Sequence, residues 1–186
     1  VRFPTGRRVA AEKLLAEGGF SFVYRASDLE SGAKYALKKM ICQDQEAKDS
    51  ARAEALVHEK FSHDNLLPLL DKVFYQHPSQ PSWDICWLLF PLCRCSLRDE
   101  ITRQVLTLEK PGLYWTLPKV LEIMRGVGRA LQEMHRLKIA HRDVKPENVL
   151  LQGGMGTDSD PLGRPLLMDF GSCGETVVPI GGRGRG

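Results

Sequence analysis

Four short polar motifs, standing in a fixed order along 186 residues, constrain this chain more than its bulk composition does. The tightest is His141-Arg142-Asp143-Val144-Lys145-Pro146-Glu147-Asn148, in which a carboxylate is followed two residues on by an ammonium and five residues on by an amide. Twenty-one residues after Asn148 stands Asp169-Phe170-Gly171, preceded by the apolar Leu166-Leu167-Met168, which reads as a strand ending in an exposed carboxylate. Upstream, Ala16-Glu17-Gly18-Gly19-Phe20-Ser21-Phe22-Val23 reads as a hairpin turn, and Lys38 follows Val23 by fifteen residues within Tyr35-Ala36-Leu37-Lys38. Gly18 and Gly19 let backbone amides approach an anion closely, and Ser21 adds a hydroxyl donor. Alone, the glycine turn and Asp169-Phe170-Gly171 read as ordinary turns and Lys38 as a surface charge, whereas the octet at 141–148 is the most specific signal. Chance matches at independent positions multiply, so the four together carry weight that none has singly.

The apolar periodicity between these motifs predicts the elements that carry them. Extended segments run from Val9 to Lys39, with a hairpin around Gly18-Gly19 and a third strand over Lys34 to Ile41. A helix is expected over 45–61, with Ala53, Leu56, Val57 and Phe61 on its apolar face. Apolar runs at 66–75 and 85–90 supply two more strands, divided by a loop over 77–82 that is rich in proline and serine. Beyond Pro91 the character turns helical. Ser96 is a plausible cap for a helix over 97–106, and Leu117 to Leu137 places Val120, Met124, Val127, Leu131 and Met134 on one face. Residues 152–164 read as an exposed turn between two short strands, in which Asp158 and Asp160 suit a solvated loop better than a calcium site.

Composition mostly excludes. Lys and Arg number 26 against 23 Asp and Glu, a net charge of +3 that is too balanced to point to nucleic acid or an anionic membrane. None of the five cysteines (Cys42, Cys86, Cys93, Cys95, Cys173) falls in the C-x-x-C spacing of zinc or redox sites, so free thiols are expected. No apolar run reaches the ~18 residues of a membrane-spanning helix. The terminal Gly181-Gly182-Arg183-Gly184-Arg185-Gly186 has no apolar content, predicts disorder, and is too short for an RNA-binding arginine-glycine segment.

With these residues laid out, the chain resembles a eukaryotic protein kinase and, more narrowly, the Numb-associated kinase family. The octet at 141–148 fits the catalytic-loop pattern H-R-D-x-x-x-x-N, and Asp169-Phe170-Gly171 the metal-binding tripeptide. Leu15 to Tyr24 is similar to the phosphate-covering loop of that family, although only Gly18 keeps a glycine of the general frame, with Ala16 and Ser21 in place of the others. Cys86-Trp87-Leu88-Leu89-Phe90-Pro91 and Met168 to Ser172 are also similar to family segments, and the likeness covers residues 10–175.

The resemblance implies an α+β, bilobal, protein-kinase-like fold: a five-stranded antiparallel sheet with one helix, then the first part of a truncated helical lobe. Its divisions would be an extension at 1–9, a small lobe at 10–92, a partial large lobe at 93–175 and a disordered tail at 176–186. It implies ATP and Mg2+ as cofactors and serine or threonine residues of a protein as substrate. Asp143 would accept the substrate hydroxyl proton, Lys145 would offset charge on the γ-phosphate, and Asn148 and Asp169 would bind the metal. The nucleotide would meet Ala16, Glu17, Gly18, Gly19, Phe20, Ser21, Val23, Ala36, Lys38 with its partner Glu54, Leu92, Cys93 and Leu150. Phe90 would be the gatekeeper, Pro91-Leu92-Cys93 the hinge, and His58, Leu69, His141 and Phe170 a stacked spine. A cytoplasmic location is implied, with peripheral attachment to Golgi or other endomembranes through an acylated amino terminus, which a chain starting at Val1 does not display.

The chain departs from the family pattern after Gly171. Val177-Val178-Pro179-Ile180 bears no likeness to an activation segment, so the peptide-binding part of the lobe is expected beyond Gly186. Without it, the apolar face of the helix at 117–137 would be left in water, at roughly 1.5–3 kcal/mol per large side chain. The competing expectation is therefore a non-catalytic, nucleotide-binding or scaffold module. A small-molecule phosphotransferase is disfavoured by Lys145 and by Arg142 before the carboxylate.

Overall fold

In a computed structural model, residues 1–106, 115–153 and 163–176 are described. The expectations for Asp158, Asp160 and the glycine-arginine tail fall outside them. The fold is α+β. β1 (Val9–Glu17), β2 (Ser21–Asp28), β3 (Lys34–Cys42), β4 (Asp71–His77) and β5 (Gln80–Pro91) form one antiparallel sheet in the order β1-β2-β3-β5-β4. Between β3 and β4 lies α1 (Gln45–Glu59), whose first turn is capped by the Asp44 carboxylate, which accepts from the Ala47 amide at 2.8 Å.

The second part holds β6 (Cys95–Ser96), α2 (Leu97–Leu106), α3 (Leu117–Arg136), β7 (Ile139–Ala140), β8 (Val149–Gln152), β9 (Arg164–Leu167) and β10 (Gly174–Glu175). β6, β8 and β9 form a small sheet, and β7 pairs with β10. The cap expected at Ser96 is present as a reciprocal box: the Asp99 amide donates to Ser96 Oγ at 3.0 Å, and the Ser96 amide donates to the Asp99 carboxylate at 3.1 Å.

Four expectations need correction. The strand expected from Leu66 starts only at Asp71, because the backbone before it is committed elsewhere. The Leu67 amide donates to the Leu167 carbonyl at 2.9 Å, the Leu167 amide donates to the Asn65 carbonyl at 2.8 Å, and Leu66 bridges Leu167 in parallel. The loop expected over 77–82 is a two-residue turn, with β5 already begun at Gln80. On α1 the buried face is Ala51, Glu54, Ala55 and His58, while Leu56 and Ala53 are exposed. Counting apolar residues misplaces this face because two of its members are polar and are buried with partners of their own.

α3 is rotated in the same way. Its buried residues are Ile123, Gly126, Ala130 and Met134, whereas Leu117 and Met124 are 70% and 65% exposed. Close packing on β9 dictates this phase. A Cβ placed at Gly126 would lie 2.4 Å from Pro165 Cγ and 3.0 Å from Asn65 Nδ2, so only glycine fits. Gly126→Val is accordingly expected to lower unfolding free energy by about 1–3 kcal/mol, read as a shift of the denaturant midpoint. An unchanged midpoint would mean that the helix can slide off β9 at no cost.

The core has three main parts. One, with Ala51, Ala55, Leu67, Cys86, Leu88, Phe90 and Leu166, lies between the sheet and α1. A second, with Phe61, Leu66, Ala130, Met134, Val149, Leu167 and Phe170, joins the two halves of the molecule. The third covers the opposite face of the sheet and includes Phe3, Val9, Ala26, Leu37 and Leu89. Among the described residues, no helix is long and apolar enough to cross a membrane.

Candidate active site

Between the five-stranded sheet and the helical half lies a cleft of about 940 Å³. Alternation along the strands sorts its wall. Val23 on β2 faces Lys38 on β3 in register, and Ala36, two residues before Lys38, lies on the same side. Phe90, Pro91, Leu92 and Cys93 form the back, where β5 leaves the sheet, and Leu150 with Met168 forms the floor. Ala16, Ser21, Val23, Ala36, Lys38, Glu54, Leu92, Cys93, Leu150 and Asp169 all line this one space. Glu17, Gly18, Gly19 and Phe20 do not. They make the exposed tip of the β1–β2 turn, where the Gly18 amide is spent on the Ser21 carbonyl at 2.8 Å.

The lining also includes Leu67, Met168, Arg25, Arg94 and Glu147, which the sequence reading did not assign to it, and His58, which was expected only in the stack. Met168 could have been read from its place directly before Asp169. Leu67 could not, since it reaches the cleft through the bridge to β9.

Lys38 Nζ donates to Glu54 Oε1 at 2.6 Å, with both side chains largely buried. Burying a charge is costly unless it is paired, so this contact ties α1 to the sheet and aims an ammonium into the cleft. A Cβ at Gly171 would lie 3.5 Å from Asp169 Oδ1 and 3.8 Å from Glu54 Oε2, which places the Asp169 carboxylate close to that pair.

Asp143, Lys145 and Asn148 are not among the residues that line the cleft; they stand on a strained loop whose Glu147 does line it. Arg142 and Asp169 both adopt left-handed backbone, with φ of 67° and 66°, a conformation that costs on the order of 1–3 kcal/mol per residue and is concentrated at functional sites. Lys145 Nζ donates to Asp143 Oδ2 at 2.7 Å, and Asn148 Nδ2 donates to the same oxygen at 2.9 Å and to the Asp143 carbonyl at 2.8 Å. The Lys145 hydrogen bond and then Asn148 hold the Asp143 carboxyl below its ordinary range, and Asp143 raises Lys145 in return. The Asp143 amide donates to His141 Nδ1 at 3.3 Å, so the ring proton sits on Nε2, which donates to the Met168 carbonyl at 2.9 Å. Through this neutral tautomer the loop is fastened to the strand that presents Asp169.

Phe170 is buried between the halves, its ring centroid 4.4 Å from His58, 5.1 Å from Phe61 and 5.9 Å from His141. His58 also lies 4.9 Å from Phe90. Leu69, expected in the same stack, packs against the cluster that includes Phe90. His58 is 2% exposed, and burial pushes its pKa down to about 4, against a weaker opposing pull from the Leu67 carbonyl. Because the folded value lies below the ordinary 6.5, the fold prefers the neutral ring. Stability is intact above about pH 6.5 and declines as pH falls toward 4, by about 3 kcal/mol at most. Urea unfolding at pH 7, 5.5 and 4.5 should show this limb, and His58→Leu should flatten it.

A family model, the protein kinase domain, matches residues 9–179. The chain belongs to the protein kinase family. Serine/threonine-protein kinase 16 of Mus musculus is 35% identical over 169 residues, which cover 90% of this chain and 50% of that protein. The Homo sapiens protein of the same name is 35% identical with the same coverage. A probable serine/threonine-protein kinase of Dictyostelium discoideum is 35% identical over 151 residues, 79% of this chain and 41% of that one. The chain thus spans about half the length of the curated relatives it matches, and what it spans is a kinase domain's cleft, its Lys38–Glu54 pair and its 141–148 loop.

Proposed function

We propose that the protein to which this kinase domain belongs transfers the γ-phosphoryl group of ATP to serine or threonine hydroxyls of proteins. The observation that carries the reading is geometric: Lys38 with Glu54, and Asp169, open into one cleft, and Asp143, Lys145 and Asn148 are hydrogen-bonded together on the loop whose Glu147 also lines it. Relatives named as serine/threonine-protein kinases support it.

The donor set fits a magnesium-nucleotide. Asp169 offers carboxylate oxygens, and Asn148, with both Nδ2 hydrogens given to Asp143, keeps Oδ1 for a hard cation. Two protein ligands suit magnesium, which retains waters and phosphate oxygens. The bound ion would neutralise charge on the phosphates. Lys38, held by Glu54, binds phosphate oxygens, and Val23, Ala36 and Leu150 enclose the base. Asp143 Oδ2 orients the acceptor hydroxyl and takes its proton. Lys145, already beside that oxygen, offsets negative charge gathering on the transferred group.

Transfer of labelled phosphate from Mg-ATP to a serine-containing protein tests this, with the complete protein as enzyme. Activity lost on EDTA addition and in Lys38→Met supports it; incorporation no greater than in Lys38→Met overturns it. For the 186-residue chain alone, a non-catalytic, nucleotide-binding role is the second reading, favoured by the exposure of Leu117 and Met124 on α3. Nucleotide-dependent thermal stabilisation without transfer would support that reading. Membership in the Numb-associated group, and attachment to an endomembrane by an acylated terminus, are proposals that rest on the segment likeness at 15–24, 86–91 and 168–172.

A further inference from the structure

Residues 1–9 were expected to be an extension of the small lobe, and within them Phe3 is 2% exposed. Val1 to Arg8 folds as a small hairpin. The Phe3 amide donates to the Arg7 carbonyl at 2.9 Å, the Gly6 amide donates to the Phe3 carbonyl at 3.0 Å, and Arg2 bridges Arg8 in antiparallel fashion. Gly6 holds φ at 91°, which allows the turn after Pro4. The Val1 amino group donates to the Val9 carbonyl at 2.8 Å, and the Val9 amide donates back to Val1 at 2.9 Å.

The anchors of this hairpin lie on opposite edges of the sheet. Tyr75 on β4 donates its hydroxyl proton to the Arg2 carbonyl, and Thr5 donates to the Asp71 carboxylate, also on β4. At the other end the hairpin runs into β1, and the Leu29 amide after β2 donates to the Arg8 carbonyl at 2.9 Å. β4 and β1 are the two edges of the order β1-β2-β3-β5-β4, so the segment crosses all five strands. The cluster that contains Phe3 draws on each of them: Val9, Ala26, Leu37, Leu89 and, partly buried, Val73.

Leu37 and Leu89 are register partners, and both lie on the face turned from the cleft. Their chain neighbours Ala36, Lys38 and Phe90 line the cleft. The packing around Phe3 therefore stands directly behind the strands that aim Lys38. We propose that residues 1–8 form a strap across the back of the sheet, with Phe3 as a positioning residue for nucleotide binding. This rests on the cleft being a nucleotide site. Strands backed by a close-packed layer have little freedom to shift, and a displaced Lys38 loses its phosphate geometry while the fold persists.

The experiment compares Phe3→Ala, Phe3→Leu and Tyr75→Phe, each made in the complete protein, with the unaltered complete protein, at a temperature where circular dichroism shows each folded. It reads the Kd of a magnesium complex of a non-hydrolysable ATP analogue, and deuterium exchange over β3. Phe3→Ala is expected to weaken binding roughly 2- to 30-fold and to speed exchange in β3, with Phe3→Leu restoring most of both. A lower thermal midpoint with unchanged Kd and unchanged β3 exchange would mean a merely structural residue and overturn the proposal. If Phe3→Ala does not fold, Tyr75→Phe decides, since it removes only an edge anchor: faster β3 exchange with weaker binding supports the strap, and neither overturns it. If the unaltered complete protein binds no nucleotide, the nucleotide reading itself fails, and with it the positioning role, whatever β3 exchange shows.

Discussion

Asp143→Asn is expected to reduce phosphate transfer by the complete protein by roughly 10²- to 10⁴-fold, the usual worth of a positioned general base. The substitution nearly preserves shape. The new amide keeps one oxygen for the Lys145 and Asn148 donors that now meet Asp143 Oδ2, so the loop holds together. What disappears is the negative charge that, in the proposed reaction, orients a hydroxyl and takes its proton. Because Lys38, Glu54 and the apolar cleft are untouched, kcat should fall while KM for ATP changes little, the pattern for an interaction made in the transition state. Steady-state kinetics with varied ATP decide the matter. A fall in apparent ATP affinity with kcat preserved would show that Asp143 serves binding rather than chemistry.

Glu100→Ala is expected to lower unfolding free energy by about 1.5–3 kcal/mol, the range for losing hydrogen bonds to a charged group, because the arginines left behind are partly exposed and can hydrate. That is a large share of the usual 5–15 kcal/mol. Glu100 has a fully buried side chain on α2. It accepts from Arg94 at 3.0 Å, from Arg103 at 2.6 Å and from Gln104 at 2.6 Å. Burial alone would raise its pKa, but the Arg103 and Gln104 hydrogen bonds and the Arg94 charge outweigh it and hold the group at about 2. The folded value is thus depressed below the ordinary 4.5. The stabilisation is fully present above about pH 4.5 and is lost as pH falls through 2, a window below that of His58. Arg94 lines the cleft and its amide donates to the Leu151 carbonyl at 3.0 Å, so losing Glu100 also loosens the segment after β5. Urea unfolding at pH 7 gives the magnitude. Glu100→Gln, which keeps the shape and some acceptor capacity, should lose less; equal losses would mean that packing rather than charge holds this site.

The hairpin around Gly18, the strand at Lys38, the helix that carries Glu54 and the loop at 141–148 were all legible, since each rests on local pattern or on residue types with few alternatives. Helix phase was not. On α1 the periodicity favoured Leu56 and Ala53, yet the buried side chains beside the apolar Ala51 and Ala55 are Glu54 and His58, which hydropathy counts against burial. Their burial depends on Lys38, sixteen residues earlier, and on the Leu67 carbonyl, nine residues later. The phase of α3 was hidden for a different reason, because a glycine was required by the approach of Pro165.

The chain's local chemistry determined which groups could handle a phosphate and a hard cation, and in what order along the sequence they come. Tertiary structure decided the rest: that Lys38, Glu54 and Asp169 share one cleft, that Leu67 joins its wall, and that Phe3 lies behind it. The physical reason is that a residue's type and spacing act through its own backbone, whereas burial and pairing depend on what distant segments bring to the same point. Only closing the β1-β2-β3-β5-β4 sheet over α1 and the 141–148 loop brings those segments together.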